Sequence, residues 1–334
     1  MEIINVAVSG LGAIGGSLLR LLADRGGRFR VVAAVDSSGA VVRGEGFDPG
    51  ALAAHKAAGR RAVEFPGATV AGSTVSDVLA AGVRVDILVE AGPGDLETGG
   101  AGLAAVRAAR SAGIPVVLAS KAPLVLAWDE LTGAGPQIAY SACVGGALPT
   151  VTLLRTALIS ARALKVEAAL NGTSTLVLAL LEEGLDLPAA VARAQEQGIA
   201  EPDPSYDLDG WDAASKLVLF ANAALGARAR LADVAVTGIG AVSGDDLRAA
   251  RARGERIMAL ATAIPDGDTW RLTVAPATVA ATHPLARLDP EEMGIVVHTD
   301  VAGRLTASTL EPDAVPSAAA VLRDLITVGG SLRA

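Results

Sequence analysis

The chain has 334 residues, enough for one large core or two ordinary ones, so two domains are expected. Apolar residues make up 51% and charged residues 19%, which excludes a disordered chain, and the net charge of −8 argues against a nucleic-acid partner. No apolar run is long enough for a membrane span, the opening MEIINVAVSG has no basic leader, and the single Cys143 excludes internal disulfides, so a soluble cytoplasmic protein is expected.

In chain order, residues 6–9 read as a strand and 14–24 as a helix, with Leu18, Leu21 and Leu22 at helical spacing. Strands follow at 30–35, 85–90 and 116–119, with a helix at 101–112 before the last of them. Short β-branched runs alternating with Ala/Leu helices predict βαβ units and a parallel sheet, an α/β architecture. Beyond residue 141 the pattern changes: helix at 148–158, strand at 165–170, then helices at 173–183, 188–197 and 211–224. Strand-like runs at 271–274 and 295–301 and a last helix at 316–326 complete the chain. The expected division is a dinucleotide-binding domain over 1–141 and an α+β substrate and dimerisation domain over 142–310. Residues 311–334 are expected to return to the first domain as a helix.

Gly10-Leu11-Gly12-Ala13-Ile14-Gly15 follows the first strand and opens the first helix, the context a Rossmann dinucleotide fingerprint requires. Gly10 allows the tight turn, Gly12 lets the backbone approach the pyrophosphate, and Gly15 lets helix and strand pack closely. The phosphates then rest on the helix N-terminus at Ala13 and Ile14, where free N–H groups favour anions. Asp36 ends the second strand, where a carboxylate binds the adenine ribose and favours NAD. Ser37, Ser38 and Arg43 follow it and offer groups for the extra phosphate of NADP. Ser120 and Lys121 follow a predicted parallel strand at its carboxyl edge and face the cofactor crevice. Asp212 and Lys216 stand four apart on a predicted helix and share a face. The stretch from Glu201 to Asp212 is rich in carboxylates and suits a substrate carrying an ammonium group. His55, His283 and His298 are scattered, so no tight metal site is expected. The carbonyls of the Val144–Ala147 turn offer at most a weak Na⁺ site.

LNGTSTLVLALLEEGL from Leu170, AQEQGIAEPDPSYDLDGWDAASKL ending at Leu217, ASKAPL from Ala119, ACVGGALP from Ala142 and THPLARL from Thr282 together resemble homoserine dehydrogenases. The resemblance runs over nearly the whole chain and is to the short form without a C-terminal regulatory domain. It implies interconversion of aspartate β-semialdehyde and homoserine with NAD(P)H. Carried over by position, Lys216 is the proton donor to the aldehyde oxygen and Lys121 a second polarising lysine. Glu201 and Asp207 bind the substrate ammonium, Asp212 positions Lys216, and Gly172 and Thr173 line the pocket. A homodimer is expected. Two alternatives stand beside this: a homologue acting on a related amino-acid semialdehyde, and a nucleotide sensor without turnover. The chain departs from the family pattern at Ser120, Thr175 and Ser141, and at Thr309 to Ala314, where the family has a glycine loop.

Overall fold

The computed structural model describes residues 2–332. The chain forms two compact units, one made of the residues up to Ala147 together with those from Asp313 on, the other of Leu148–Pro312.

The first unit is built on a seven-stranded sheet. Its elements in chain order are β1 (Ile4–Ser9), α1 (Ala13–Arg25), β2 (Phe29–Asp36), β3 (Gly39–Val42), α2 (Pro49–Ala57), β4 (Thr69–Gly72) and α3 (Val75–Ala80). β5 (Ile87–Glu90), α4 (Gly100–Ser111), β6 (Val116–Leu118), α5 (Ala122–Thr132) and β7 (Ile138–Ala139) follow. The strand order is β4-β3-β2-β1-β5-β6-β7, with β2, β1, β5, β6 and β7 parallel. Those central strands read as nearly unbroken apolar runs because helices cover both faces. β3 and β4 are antiparallel additions, and Asp36 pairs with Gly39 across the β2–β3 turn. The last helix of the chain, α12 (Val315–Ser331), belongs to this unit. Its Val321, Leu325 and Val328 join Val6, Leu18, Leu22 and Ile87 in one core. A Cβ on Gly329 would stand 2.8 Å from Ile4 Cδ1, so α12 lies hard against the start of β1.

The second unit holds α6 (Thr150–Ala157), β8 (Ala163–Ala169), α7 (Gly172–Glu182), α8 (Leu187–Glu196), α9 (Ser205–Leu208) and α10 (Trp211–Phe220). β9 (Val234–Val236), α11 (Gly244–Ala252), β10 (Glu255–Asp266), β11 (Thr269–Ala280), β12 (Glu292–Thr299) and β13 (Arg304–Leu310) complete it. Its sheet runs β13-β12-β8-β10-β11-β9, with β8 antiparallel to both of its neighbours. α7, α8 and α11 close a core of Leu178, Leu181, Ala190 and Leu247. α10 stops at Phe220 and gives way to a wider π turn over Ala221–Leu225, short of the helix end expected from sequence. Among the described residues no helix is long and apolar enough to cross a membrane.

Candidate active site

Three glycines bridge β1 and α1 and differ in what demands them. Gly10 has φ +91°, and a Cβ there would lie 2.3 Å from Gly92 N. A Cβ on Gly15 would lie 1.9 Å from the Gly10 carbonyl oxygen. Packing alone requires these two. Gly12 has no atom within 4 Å of where its Cβ would stand, although it caps α1 without any side-chain hydrogen bond. That leaves the first N–H groups of α1, at Ala13 and Ile14, opening onto free space, a cradle that fits a dinucleotide pyrophosphate.

Asp36 ends β2, and its two oxygens are engaged within the chain. Oδ2 lies 2.5 Å from Lys56 Nζ, and Oδ1 accepts from Ser38 N at 2.8 Å and Ser38 Oγ at 2.6 Å. Burial raises its pKa, but the Lys56 ammonium and the Ser38 bonds outweigh it and hold the carboxyl below its ordinary value. Ser37 sits exposed at the turn. Arg43 is not among the groups that meet Asp36. β3 runs back antiparallel along β2, so Arg43 N reaches Val32 O at 2.9 Å, and its side chain lies by His55, Phe65 and Asp48. The cation beside Asp36 is Lys56 of α2, which sequence reasoning missed. A signal was available: Asp48 accepts from Ala51 N as N-cap, and Pro49 starts the helix.

At the carboxyl edge of β6, Ser120 is buried, its Oγ has no hydrogen-bond partner, and Lys121 caps α5. Ser120 O and Leu118 O accept from the Cys143 thiol at 3.2 and 3.3 Å, and burial pushes that thiol far above its ordinary range, so it is unreactive. Ser141 donates from N and Oγ to Asp324 of α12, both at 2.7 Å.

In the second unit a cleft of about 330 Å³ opens between the start of α7 and α10. Asn171 caps α7, its Oδ1 accepting from Ser174 N at 2.8 Å. Its Nδ2 donates to Asp207 Oδ1 at 2.7 Å and to Asp212 Oδ2 at 2.9 Å. Lys216, one helical turn after Asp212, reaches Asp212 Oδ2 at 2.9 Å and Leu170 O at 2.6 Å. Thr173 donates to Ile199 O, and Gly172 leaves its Cβ position open. Glu291 and Glu311 line the same cleft, so four carboxylates face one ammonium there. Such a field favours a cationic group on a ligand. Burial, then the neighbouring Asp212 charge, push Asp207 above its ordinary carboxyl value against the pull of Asn171 and Lys216.

A carboxyl with a higher pKa folded than unfolded costs stability as pH rises through the interval between the two values. Asp207→Asn is therefore expected to raise Tm at neutral pH and to flatten the loss of Tm with rising pH, while raising KM for an ammonium-bearing substrate. Calorimetric scans across the acid range, paired with steady-state kinetics, check both halves.

Glu201 is not brought into the cleft. It is exposed, and Gln195 Nε2 holds the Glu201 and Pro202 carbonyls at 3.0 and 3.1 Å. Asn171, Glu291 and Glu311 line the cleft as well, the two glutamates arriving from segments far along the chain from Lys216. Three candidate ligand groups that are scattered in the sequence come together in space. Glu167, His283 and His298 meet on one side of the second unit's sheet, because β8 pairs with β12 across a large sequence distance.

The profile of the Homoserine dehydrogenase family matches residues 149–326, and that of Glutamate/Leucine/Phenylalanine/Valine dehydrogenase matches residues 1–97. The homoserine dehydrogenase of Methanocaldococcus jannaschii is 32% identical over 98% of this chain and 99% of its own length. The NAD(+)-dependent homoserine dehydrogenase of Pseudomonas canavaninivorans is 30% identical over 97% of this chain and 96% of its own. A crystal structure of a homoserine dehydrogenase from Thiobacillus denitrificans superposes with a TM-score of 0.83 at 27% identity, covering 98% of this chain and 73% of that one. With a fingerprint loop on one unit and a lysine held among carboxylates on the other, this chain belongs to the homoserine dehydrogenase family.

Proposed function

We propose that the chain reduces aspartate β-semialdehyde to L-homoserine, reversibly, with the first unit holding NAD(P)H and the second holding the amino-acid substrate. One observation carries this reading: Lys216 is fixed by Asp212 and Leu170 on the floor of an acidic cleft. When bound, the nicotinamide supplies the hydride. A lysine ammonium has three donors, and two are spent on Asp212 Oδ2 and Leu170 O. The third is left for the aldehyde oxygen, which it stabilises as alkoxide and then protonates. Asp212 keeps Lys216 charged and aimed, and Asp207 takes the substrate ammonium. The N-terminus of α7 at Gly172 and Thr173 favours the substrate carboxylate. Lys121 is the second lysine of this reading, a role resting on its place in the ASKAPL stretch.

Ser120 Oγ and the Gly12 cradle support a bound dinucleotide, and the Lys56–Asp36 pair supports acceptance of the NADP phosphate. A ribose diol finds both Asp36 oxygens already engaged, whereas Lys56 Nζ, held by Asp36 Oδ2 and Arg60 O, keeps a third donor for a phosphate. Hydrogen bonds to charged groups contribute about 1.5–3 kcal/mol. Lys56→Ala is thus expected to weaken NADPH at least about tenfold relative to NADH, as read by fluorescence titration. An unchanged ratio removes Lys56 from the cofactor site.

A weakly held Na⁺ on the Val144–Ala147 turn, where Gly145 and Gly146 take φ of +89° and +58°, belongs to the same reading. So do a cytoplasmic location and a homodimer, the latter supported by exposed Leu164, Val301 and Leu310 on the second unit. The deciding assay is oxidation of NADPH and NADH with aspartate semialdehyde. Cofactor binding without oxidation, or turnover of a different semialdehyde alone, overturns the substrate assignment.

A further inference from the structure

Glu167 lies in the middle of β8, His298 near the end of the adjacent β12, and His283 in the turn that follows β11. None of the three lines the acidic cleft. Glu167 Oε2 faces His298 Nε2 at 3.1 Å and His283 Nε2 at 3.4 Å, and the three ligand atoms all lie within 4.8 Å of one another. The other carboxylate oxygen is anchored by Lys165 Nζ at 2.8 Å, which aims Oε2 at the two rings. His283 Nε2 is buried and makes no hydrogen bond. His298 Nε2 already shares a hydrogen bond with Glu167 Oε2, but leaving the buried His283 nitrogen unsatisfied is costly, so it calls for a partner at the point where the three groups converge.

We propose that Glu167, His283 and His298 form a binding site for one divalent transition cation of the zinc class. Bonds of about 2.0–2.1 Å in a tetrahedron put neighbouring ligand atoms about 3.3 Å apart. The 3.1 and 3.4 Å edges at Glu167 already have that size. Two nitrogen ligands select zinc-like ions over magnesium or calcium, which prefer oxygen. The His298 side chain is 37% exposed, so the cation has a path in and the fourth position is open to water. Two terms weaken the site. The Lys165 ammonium repels the cation. Ligation through His283 Nε2 also moves the ring proton to Nδ1, giving up a contact from Leu285 N that is already long at 3.3 Å. Micromolar rather than nanomolar affinity follows. The cation would tie the turn after β11 to β8 and β12, which already pair with each other at this point.

The test uses the full chain, stripped with a chelator and titrated calorimetrically with ZnCl2. One Zn²⁺ per chain is expected, with a micromolar Kd, a rise in Tm on saturation and no binding of MgCl2. His298→Ala removes a half-exposed ring at little risk to folding. Glu167→Gln keeps the shape of the carboxylate. Each is expected to weaken Zn²⁺ at least tenfold and to abolish the zinc-dependent rise in Tm, with circular dichroism confirming that the variants are folded. Absence of zinc binding by the parent chain, or equal affinity in folded His298→Ala, overturns the proposal and leaves the cluster as a histidine–carboxylate contact.

Discussion

Lys216→Ala is expected to lower kcat by about two to four orders of magnitude, the usual weight of a positioned general acid. The loss falls on kcat more than on KM, because the proton is needed in the transition state and the substrate ammonium is still met by Asp207. NADPH affinity should hold, since the fingerprint loop and Lys56 lie in the other unit. A structural cost accompanies the chemical one. Asp212 is buried, and the substitution removes the ammonium that stands 2.9 Å from its Oδ2, leaving Asn171 Nδ2 still donating to the same oxygen. Uncompensated buried charge costs about 3–5 kcal/mol. Lys216→Ala should therefore also lower Tm. The double variant with Asp212→Asn should recover much of the stability and none of the turnover. A stable and fully active Lys216→Ala enzyme would make the pair an ordinary helix contact and end the proposed mechanism.

Gly12→Val is expected to abolish dinucleotide binding while Tm barely moves. Nothing lies within 4 Å of the Gly12 Cβ position, so the fold has room for a side chain that the pyrophosphate does not. The neighbouring glycine behaves in the opposite way. Gly15→Ala drives a methyl to 1.9 Å from the Gly10 carbonyl, so it should lower Tm by several degrees before cofactor is considered. Comparing NADPH titration with thermal unfolding for the two variants separates the roles. Equal loss of stability in both would show that Gly12 is structural.

Features local in sequence were legible, and features built by strand pairing were not. The fingerprint loop needs only a strand, a turn and a helix in succession, and β1, α1 and β2 lie within a residue or two of their expected places. Asp212 and Lys216 share a face through helical spacing alone. The position of Arg43 was not legible, because a spacing argument cannot tell a crossover from the tight return of β3 along β2. Lys56 was missed with its helix. Glu201 sits in the right stretch, but Gln195 turns that backbone so that the side chain meets solvent. The β10–β11 hairpin, with twelve residues in each strand, was seen only in part, because alanines at buried and half-buried positions such as Ala259, Ala261, Ala263, Ala275 and Ala277 blur the alternation. Glu167 and His298 are brought together by the pairing of β8 with β12, a register no local pattern contains.

The first unit closes only when α12 packs against α1 and β1, so its core draws on both ends of the chain while the second unit is continuous. During synthesis the substrate-side unit is complete as soon as Pro312 has emerged, whereas the cofactor-side core still lacks Val321, Leu325 and Val328. Vectorial folding thus finishes the later-encoded unit before the earlier one. Until then the α1 face that α12 covers remains bare. A chain halted after residue 312 should present a folded second unit beside a sticky, incomplete nucleotide fold, a species for chaperones to hold.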